Sequence, residues 1–125
     1  MNKNAEIKKN RIIKFRAWDI DEEEIIYGID KIKEKYDGIE LIDELLNPQN
    51  AGIMEIKIMQ FTGLKDKNKK EIYEGDIIDS HRYGIFEVEW RHDGFHPFNM
   101  PNNVPNENDC EVIGNIYENP ELLRR

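Results

Sequence analysis

The stretch from residue 60 to residue 78, QFTGLKDKNKKEIYEGDII, restricts the fold of this chain more than any other part of it. A polar turn region over residues 63–70 and a glycine, Gly75, separate segments that have strand character. These segments cover residues 55–62, 72–73 and 76–79. Gly75 lies where a strand of a small β-barrel bends around a corner. The spacing of turn and bend predicts a mainly β fold, with a twisted or barrel-like sheet.

The most regular strand of the chain is predicted over residues 84–90, where apolar and polar side chains alternate. Alternation places Phe86, Val88 and Trp90 on one face, which we expect to be buried. The opposite face, expected to be exposed, carries Glu87 and Glu89. Residues 91–94 end in Asp-Gly and predict a hairpin turn, after which residues 95–98 form the return strand.

The rest of the chain supplies further strands and one helical region. The predicted segments are a strand over residues 12–18, a return strand over 25–27, a helical stripe over 29–46, a loop over 99–109 and a last strand over 111–117. The acidic residues 19–24 form a solvated turn. Gly38 interrupts the helical stripe, so one or two short helices are predicted, and the segment ends at Pro48.

Length and composition indicate one polar domain. The chain has 125 residues, which we assign to a flexible tail over residues 1–10 and a single domain over residues 11–125. The net charge is −8, which opposes long-range attraction to nucleic acid or an anionic membrane. A single cysteine, Cys110, and the lack of an apolar signal or membrane-spanning run predict a soluble, cytoplasmic protein.

Three blocks of sequence resemble the YopX protein family of bacteriophages and prophages. They are FRAWD at residues 15–19, the stretch 60–78, and VIGNIYENPELL at residues 112–123. The resemblance implies a phage-encoded, cytoplasmic and largely β protein, and it implies no catalytic residues. The recurring positions, which we interpret as structural, are Gly63, Tyr73, Gly75, Asp76, Gly114, Asn115, Tyr117 and Pro120. Gly114 lies within a predicted strand, which often indicates the close approach of another backbone.

One position departs from the family pattern, because its Asn-Gly turn is Asn68-Lys69 in this chain. A type I′ turn requires positive φ at both central residues, and a lysine resists that conformation. Either the turn type differs, or Lys69 carries about 1 kcal/mol of strain.

The residues that most often perform chemistry are not arranged for it. His81, His92 and His96 lack metal-ligand spacing, so we interpret them as turn and surface residues. Cys110 has no activating neighbour and is expected to be a small buried apolar residue. Glu74 and Asp76 flank Gly75, but solvation of both carboxylates is expected rather than acid–base chemistry. We predict no enzyme activity, no metal and no cofactor.

The sequence leaves two functions open, with an enzyme of unrecognised site as a third. The first is an accessory module that binds an unidentified host or phage protein, or a second copy of itself. The second is a nucleic-acid-associated protein, since small β-barrels bind single strands through aromatic and basic residues. The candidate interaction surface comprises Lys65, Lys67, Lys69, Lys70, Trp18, Arg82 and Arg91. The acidic net charge favours the protein partner.

Overall fold

Short antiparallel strands form most of the fold, as the alternating segments of the sequence predict. The computed structural model describes residues 13–35, 56–101 and 105–124. The strands in these ranges are β1 (Phe15–Asp19), β2 (Glu24–Tyr27), β3 (Ile56–Lys65), β4 (Glu71–Tyr73), β5 (Asp76–Asp79), β6 (Ile85–Glu87), β7 (Glu89–Arg91), β8 (Gly94–His96) and β9 (Glu111–Asn115). The same ranges contain the helix α1 (Ile29–Lys35) and two 3-10 turns, Glu107–Asp109 and Pro120–Leu123. The mainly β class with a helix from residue 29 is therefore confirmed.

The chain divides into two compact units, and the division falls within β3. Of the described residues, 13–35 and 56–60 belong to the first unit, and 61–101 and 105–124 belong to the second. The predicted division into a flexible tail over residues 1–10 and one domain over 11–125 stays a prediction, and that tail lies outside the described residues.

In the first unit, β1 lies between β2 and the first half of β3, and both pairings are antiparallel. The register places Ala17 opposite Ile26 on one side and Ile58 on the other. These residues therefore share a face of the sheet, and α1 covers that face with Ile32. Ala17, Ile32 and Ile56 are fully buried there and form the core of the unit.

The helix α1 begins where Gly28 ends β2 in a conformation that a glycine adopts easily, with φ 95°. The carbonyl of Gly28 accepts the first helical hydrogen bond from the N–H of Ile32, at 3.1 Å. Near the other end, Lys35 Nζ lies 3.4 Å from Asp19 Oδ2 and 3.5 Å from Glu24 Oε2. The predicted helical stripe is thus present as far as Lys35, and its remainder over residues 36–46 lies outside the described residues.

In the second unit, β5 lies between β6 and β9, the rest of β3 pairs with β4, and β7 pairs with β8. One core joins these ladders. Its fully buried members are Ile72, Ile78, Val88 and Cys110, and half-buried phenylalanines pack against them. Burial of Cys110 agrees with its predicted role as a small apolar residue.

Predicted boundaries in the second unit were wrong at the ends of β3, β8 and β9, and β8 stops at His96 and not at residue 98. The strand β3 continues to Lys65, so Gly63 lies within the strand, with φ 90°, and not in the turn region. The register of β3 against β4 shifts between Phe61 and Lys65, which places an irregularity where the glycine stands. At the other end, β9 stops at Asn115, two residues early, because the side chain of Asn115 bends the chain by accepting backbone N–H groups.

The predicted strand over residues 84–90 is interrupted at Val88. The N–H of Val88 donates to Asp76 O and its carbonyl accepts from the N–H of Gly75, both at 2.8 Å. Gly75 and Asp76 thus oppose the single residue Val88, which is the pattern of a β-bulge with its extra residue in the segment that leads into β5. Val88 is fully buried as predicted, but Trp90, two residues further along, is 58% exposed.

The exposure predicted for the intervening glutamates was also wrong, because Glu87 and Glu89 are both half-buried. Burial raises the pKa of Glu87, and the neighbouring carboxylate of Glu89 adds to the rise. Burial therefore does not follow alternation strictly on either face of this segment. Trp90 lies opposite Phe95, which packs against the core, but the Trp90 side chain extends past the core into solvent.

Candidate functional site

The turn that carries four lysines is organised by a buried carboxylate, Asp66, which is 3% exposed. Its Oδ1 accepts the N–H groups of Asn68 at 2.8 Å and Lys70 at 2.9 Å. Its Oδ2 accepts the N–H of Val112, the second residue of β9, at 2.9 Å. Asp66 therefore fixes the turn and attaches it to a strand 46 residues further along the chain.

The protonation of Asp66 reflects these contacts. Burial by itself raises the pKa of the carboxyl, but three backbone N–H donors, from Val112, Lys70 and Asn68, together with the charge of Lys70, lower it further than burial raises it. Asp66 is consequently a carboxylate at neutral pH. Its oxygens are occupied by the backbone and are not presented to a substrate.

The turn itself differs from the type I′ form. The N–H of Lys69 donates to Asp66 O at 2.9 Å, and the N–H of Asp66 donates to Lys70 O at 2.8 Å. Lys69 has φ 69°, whereas Asn68 does not have positive φ. This pattern is a three-residue hairpin loop with a bulge, whose last residue is usually glycine. The turn type differs and Lys69 occupies the strained conformation, so both alternatives drawn from the sequence apply.

The bend at Gly75 joins three parts of the second unit. Gly75 has φ 89°, and its carbonyl accepts the N–H of Ile116 at 2.9 Å. The adjacent Asp76 accepts the N–H of Tyr73 on Oδ2 at 2.8 Å. The predicted bend at Gly75 is present, and its backbone ties β5 to the end of β9.

The expectation that Asp76 is solvated was wrong, since only 2% of the residue is exposed. Residues around a tight bend do not follow the alternation of a strand, and Asp76 turns inward to accept the N–H of Tyr73. Glu74 is half-buried on the other side of the glycine. The two residues therefore do not form a solvated pair.

A second polar cluster closes β9. Asn115 accepts the N–H groups of Tyr117 at 3.0 Å and Glu118 at 2.8 Å, and its own N–H donates to Asn119 Oδ1 at 3.1 Å. A Cβ on Gly114 would lie 2.5 Å from that Asn119 oxygen. The close approach predicted at Gly114 is present, but it comes from a side chain and not from another backbone. Nothing in the sequence pattern alone identified Asn119 as its cause.

These contacts explain the recurring blocks of the sequence. Asp66, Asp76 and Asn115 all direct their oxygens at backbone N–H groups, so they hold turns and strand ends in place. The structural role of the blocks stays a prediction, and these contacts are the observations on which we base it.

Two of the predicted surface residues, Lys67 and Arg82, line one cavity of about 450 Å³. Other lining residues are His81, Tyr83, Asn106 and Asp109. Lys67 Nζ lies 3.1 Å from His81 Nε2, and both groups lie 3.9 Å from Glu111 Oε1. The lining carries the carboxylate of Asp109 as well as two cations, and Glu111 lies beside Lys67, so the attraction of the cavity for an anion such as phosphate is reduced.

The histidines do not converge. His81 has φ 63° and is exposed in the turn after β5, and His92 is exposed in the turn after β7. His96 is half-buried in β8, where its ring lies 5.9 Å from that of Phe86. Throughout the three described ranges, no group of three or more His, Cys, Asp or Glu side chains is placed to hold a metal ion. Burial, followed by the nearby charges of Asp109 and Glu107, raises the pKa of the Cys110 thiol to about 11, which makes it a poor nucleophile.

The hairpin of β7 and β8 presents the most exposed aromatic side chain of the described residues. The Trp90 ring packs edge-on against Phe95, with 4.8 Å between ring centres, and otherwise faces solvent. On the same strand, Arg91 Nη2 lies 3.2 Å from Glu89 Oε2. The predicted surface residue Arg91 is thus adjacent to an aromatic side chain that the sequence pattern had placed in the core.

The remaining surface candidates lie elsewhere. The four lysines Lys65, Lys67, Lys69 and Lys70 are all exposed around the turn. Trp18 is half-buried on β1 in the first unit. The structure therefore brings Lys67 and Arg82 together at the cavity and leaves Arg91 on the hairpin. No helix within the described ranges is long and apolar enough to cross a bilayer.

Comparison with known proteins agrees with the blocks in the sequence. Residues 14–124 match the family described as YopX protein. Among solved structures, the chain is similar to the crystal structure of protein EF1440 from Enterococcus faecalis, with 28% identity and a TM-score of 0.55. The similarity covers 90% of this chain and 98% of that chain. No curated protein matches the chain.

Proposed function

The chain belongs to the YopX protein family, and from this membership and the exposed β7–β8 hairpin we propose that it is a non-enzymatic module that binds a protein partner. We further propose that it is a phage- or prophage-encoded accessory protein of the host cytoplasm. The observation that carries the proposal is the exposure of Trp90, at 58%, beside an arginine and a glutamate.

An exposed tryptophan is costly to leave in water and is the residue type most enriched among the energetically dominant positions of protein interfaces. Arginine is enriched in the same positions. The hairpin presents both on a two-stranded ribbon that is attached to the core through Phe95 and the preceding residue Val88. A rigid attachment lowers the entropy lost on binding, because the exposed side chains are already positioned.

The polar side chains support the same reading. Asp66, Asp76 and Asn115 hold backbone groups, as described above, and Cys110 is buried with a raised pKa. These residues are among the most chemically versatile of the chain. Their use as scaffold favours binding over catalysis, since a reaction needs such groups beside a substrate.

The proposal can be tested by affinity capture from the lysate of a low-GC Gram-positive bacterium. The wild-type chain and Trp90→Ser are compared, and Tyr83→Ser serves as the matched control because Tyr83 is also exposed, at 49%. We expect a protein that is captured by the wild type and the control and is lost with Trp90→Ser. Equal capture by all three chains would reject the hairpin as the binding surface.

A further inference from the structure

The outer edge of β7 carries backbone groups that point away from β8. Val88 is the residue immediately before β7, and its backbone N–H and C=O form hydrogen bonds with Asp76 and Gly75 on the side opposite β8. On β8, the carbonyl of Phe95 accepts the N–H of Asn99 at 3.1 Å and so also points out of the hairpin. Antiparallel strands alternate between bonded and non-bonded pairs. The Trp90–Phe95 pair is therefore non-bonded, and the N–H and C=O of Trp90 face outward.

This edge is open in the part of the chain that the structure describes. There, β7 pairs only with β8, and no strand lies beside Trp90 on its other side. An unpaired edge with an exposed aromatic side chain is a template for another strand. The bonds of Val88 close the edge on one side and the turn at His92 closes it on the other, which leaves three residues, Glu89–Arg91, available for pairing.

The sequence of these three residues is complementary to itself. When two antiparallel copies of Glu-Trp-Arg are centred on the tryptophan, each glutamate faces the arginine of the other copy. The two tryptophans then form a bonded pair, in which each N–H donates to the other carbonyl. Opposite charges directly across a ladder stabilise it, and like charges destabilise it.

We propose that β7 binds the β7 strand of a second copy of this chain, antiparallel and with a two-fold axis at Trp90. The inference rests on the proposed protein-binding function and identifies the partner for the same surface. The joined hairpins form one four-stranded sheet in the order β8, β7, β7 and β8. Such an interface is isologous, so the same residues serve both copies.

The tryptophans supply most of the binding energy, and the charges set the register. The interface is small in area. It consists of two backbone hydrogen bonds and the two Trp90 side chains, each of which packs against Phe95 of its own copy. Glu89 and Arg91 already form an ion pair at 3.2 Å within one copy. Replacing it with ion pairs between the two copies therefore adds little free energy of association. The association is consequently weak and depends on protein concentration.

Charge reversal gives a specific test by sedimentation of the full chain over a wide concentration range. Glu89→Arg leaves two positive charges beside the tryptophan, and Arg91→Glu leaves two negative ones. Each variant alone should self-associate about tenfold more weakly, because like charges then face each other. An equimolar mixture of the two should associate again, and so should the double variant Glu89→Arg with Arg91→Glu.

Two further variants separate this pairing from other contacts. Trp90→Ser should weaken self-association about 30-fold or more, as expected for a dominant interface residue. Tyr83→Ser should leave it unchanged. Circular dichroism of each variant checks that the fold is retained, which we expect because these side chains lie on the surface.

The outcomes distinguish this inference from the proposed function. A chain that stays monomeric at all concentrations, or a dimer that is indifferent to the charge reversals and their mixture, overturns the pairing of β7 strands. Capture of a different protein through Trp90 by a monomeric chain would leave the proposed function standing while rejecting the second copy. Recovery of association both in the equimolar mixture and in the double variant, after a loss in each single charge variant, supports the two-fold register.

Discussion

The turn after β3 and the hairpin of β7 and β8 both join antiparallel strands through charged residues, but they use those residues in opposite ways. In the first, Asp66 is buried and joins the turn to β9 through Val112. In the second, Trp90 and Arg91 are exposed, and the turn contact between Asn99 and Asp93, at 2.7 Å, lies at the surface. A polar residue can be structural while an apolar residue is available for binding.

The comparison shows where function can reside in this fold. A side chain that satisfies buried backbone groups is expensive to change and offers nothing to a partner. A side chain that satisfies nothing within the chain can change its role without affecting stability. The following variants test whether the two regions really differ in this respect.

The largest effect is expected from Asp66→Ala, which should reduce the free energy of unfolding by about 3 kcal/mol. The change removes the acceptor of three backbone N–H groups and detaches the turn from β9. Urea denaturation followed by circular dichroism measures the loss. A loss below about 0.5 kcal/mol, the range of ordinary surface positions, would erase the contrast with the hairpin.

Asp66→Asn adds a pH dependence to the same test. The pKa of Asp66 is lower in the folded chain than in the unfolded chain, so its ionised form contributes stability above the unfolded pKa, about 4. That contribution is lost as the pH falls through the folded pKa. The difference in stability between wild type and Asp66→Asn should therefore be largest at neutral pH and shrink below about pH 4. A difference that is constant with pH would assign the effect to packing.

Val88→Ala should cost about 2 kcal/mol, because the side chain is fully buried and its loss leaves a cavity beside Ile72 and Ile78. Val88 lies at the edge of the core, because Trp90, two residues further along the chain, is exposed. The cost is measured by thermal and urea unfolding. A neutral result would mean that the core does not extend to the base of the hairpin.

Gly114→Ala should cost about 1.5 kcal/mol, because the added methyl group overlaps Asn119 and displaces its oxygen from the N–H of Asn115. In the double variant Gly114→Ala with Asn119→Ala, the two closest obstructing atoms, Asn119 Oδ1 and Cγ, are removed, while the Asn119 Cβ at 2.9 Å stays and the hydrogen bond to Asn115 is absent. We expect its cost to be less than the sum of the two single costs. Strict additivity would show that Asn119 is not the obstacle.

Lys69→Gly should increase stability by about 1 kcal/mol, because Lys69 has φ 69° and a glycine adopts that conformation without strain. The thermal midpoint should rise, while Lys67→Gly, at a neighbouring position of the same turn without positive φ, should lower it. A decrease for Lys69→Gly would contradict the conformation of this turn.

The smallest effect on folding is expected from Trp90→Ser, which should change the free energy of unfolding by no more than about 0.5 kcal/mol. The ring loses only its contact with Phe95, since most of it already lies in water. The same variant should have the largest effect on binding. A loss of unfolding free energy as large as that of Val88→Ala would show that Trp90 is a core residue, as alternation had predicted.

The local pattern predicted most of the elements, because hydrophobic periodicity and turn residues act over a few positions. The strands near residues 15, 25, 72, 76 and 111, the bend at Gly75 and the hairpin at residues 91–94 are all present. The boundaries failed where a distant residue intervened. Asn115 ended β9 early, and the bonds of Val88 to Gly75 and Asp76 divided the strand that alternation predicted as continuous.

By itself, the sequence determined the mainly β class, the family and the positions of the tight turns, since glycine, asparagine and alternating apolar residues specify these locally. Only the tertiary structure decided which carboxylates are buried and which tryptophan is exposed. Asp66 is a scaffold residue because Val112 comes to lie beside it, and Trp90 is a surface residue because its ring packs against Phe95 and is otherwise left in solvent. Burial depends on what the rest of the chain places opposite a side chain, and no local pattern contains that information.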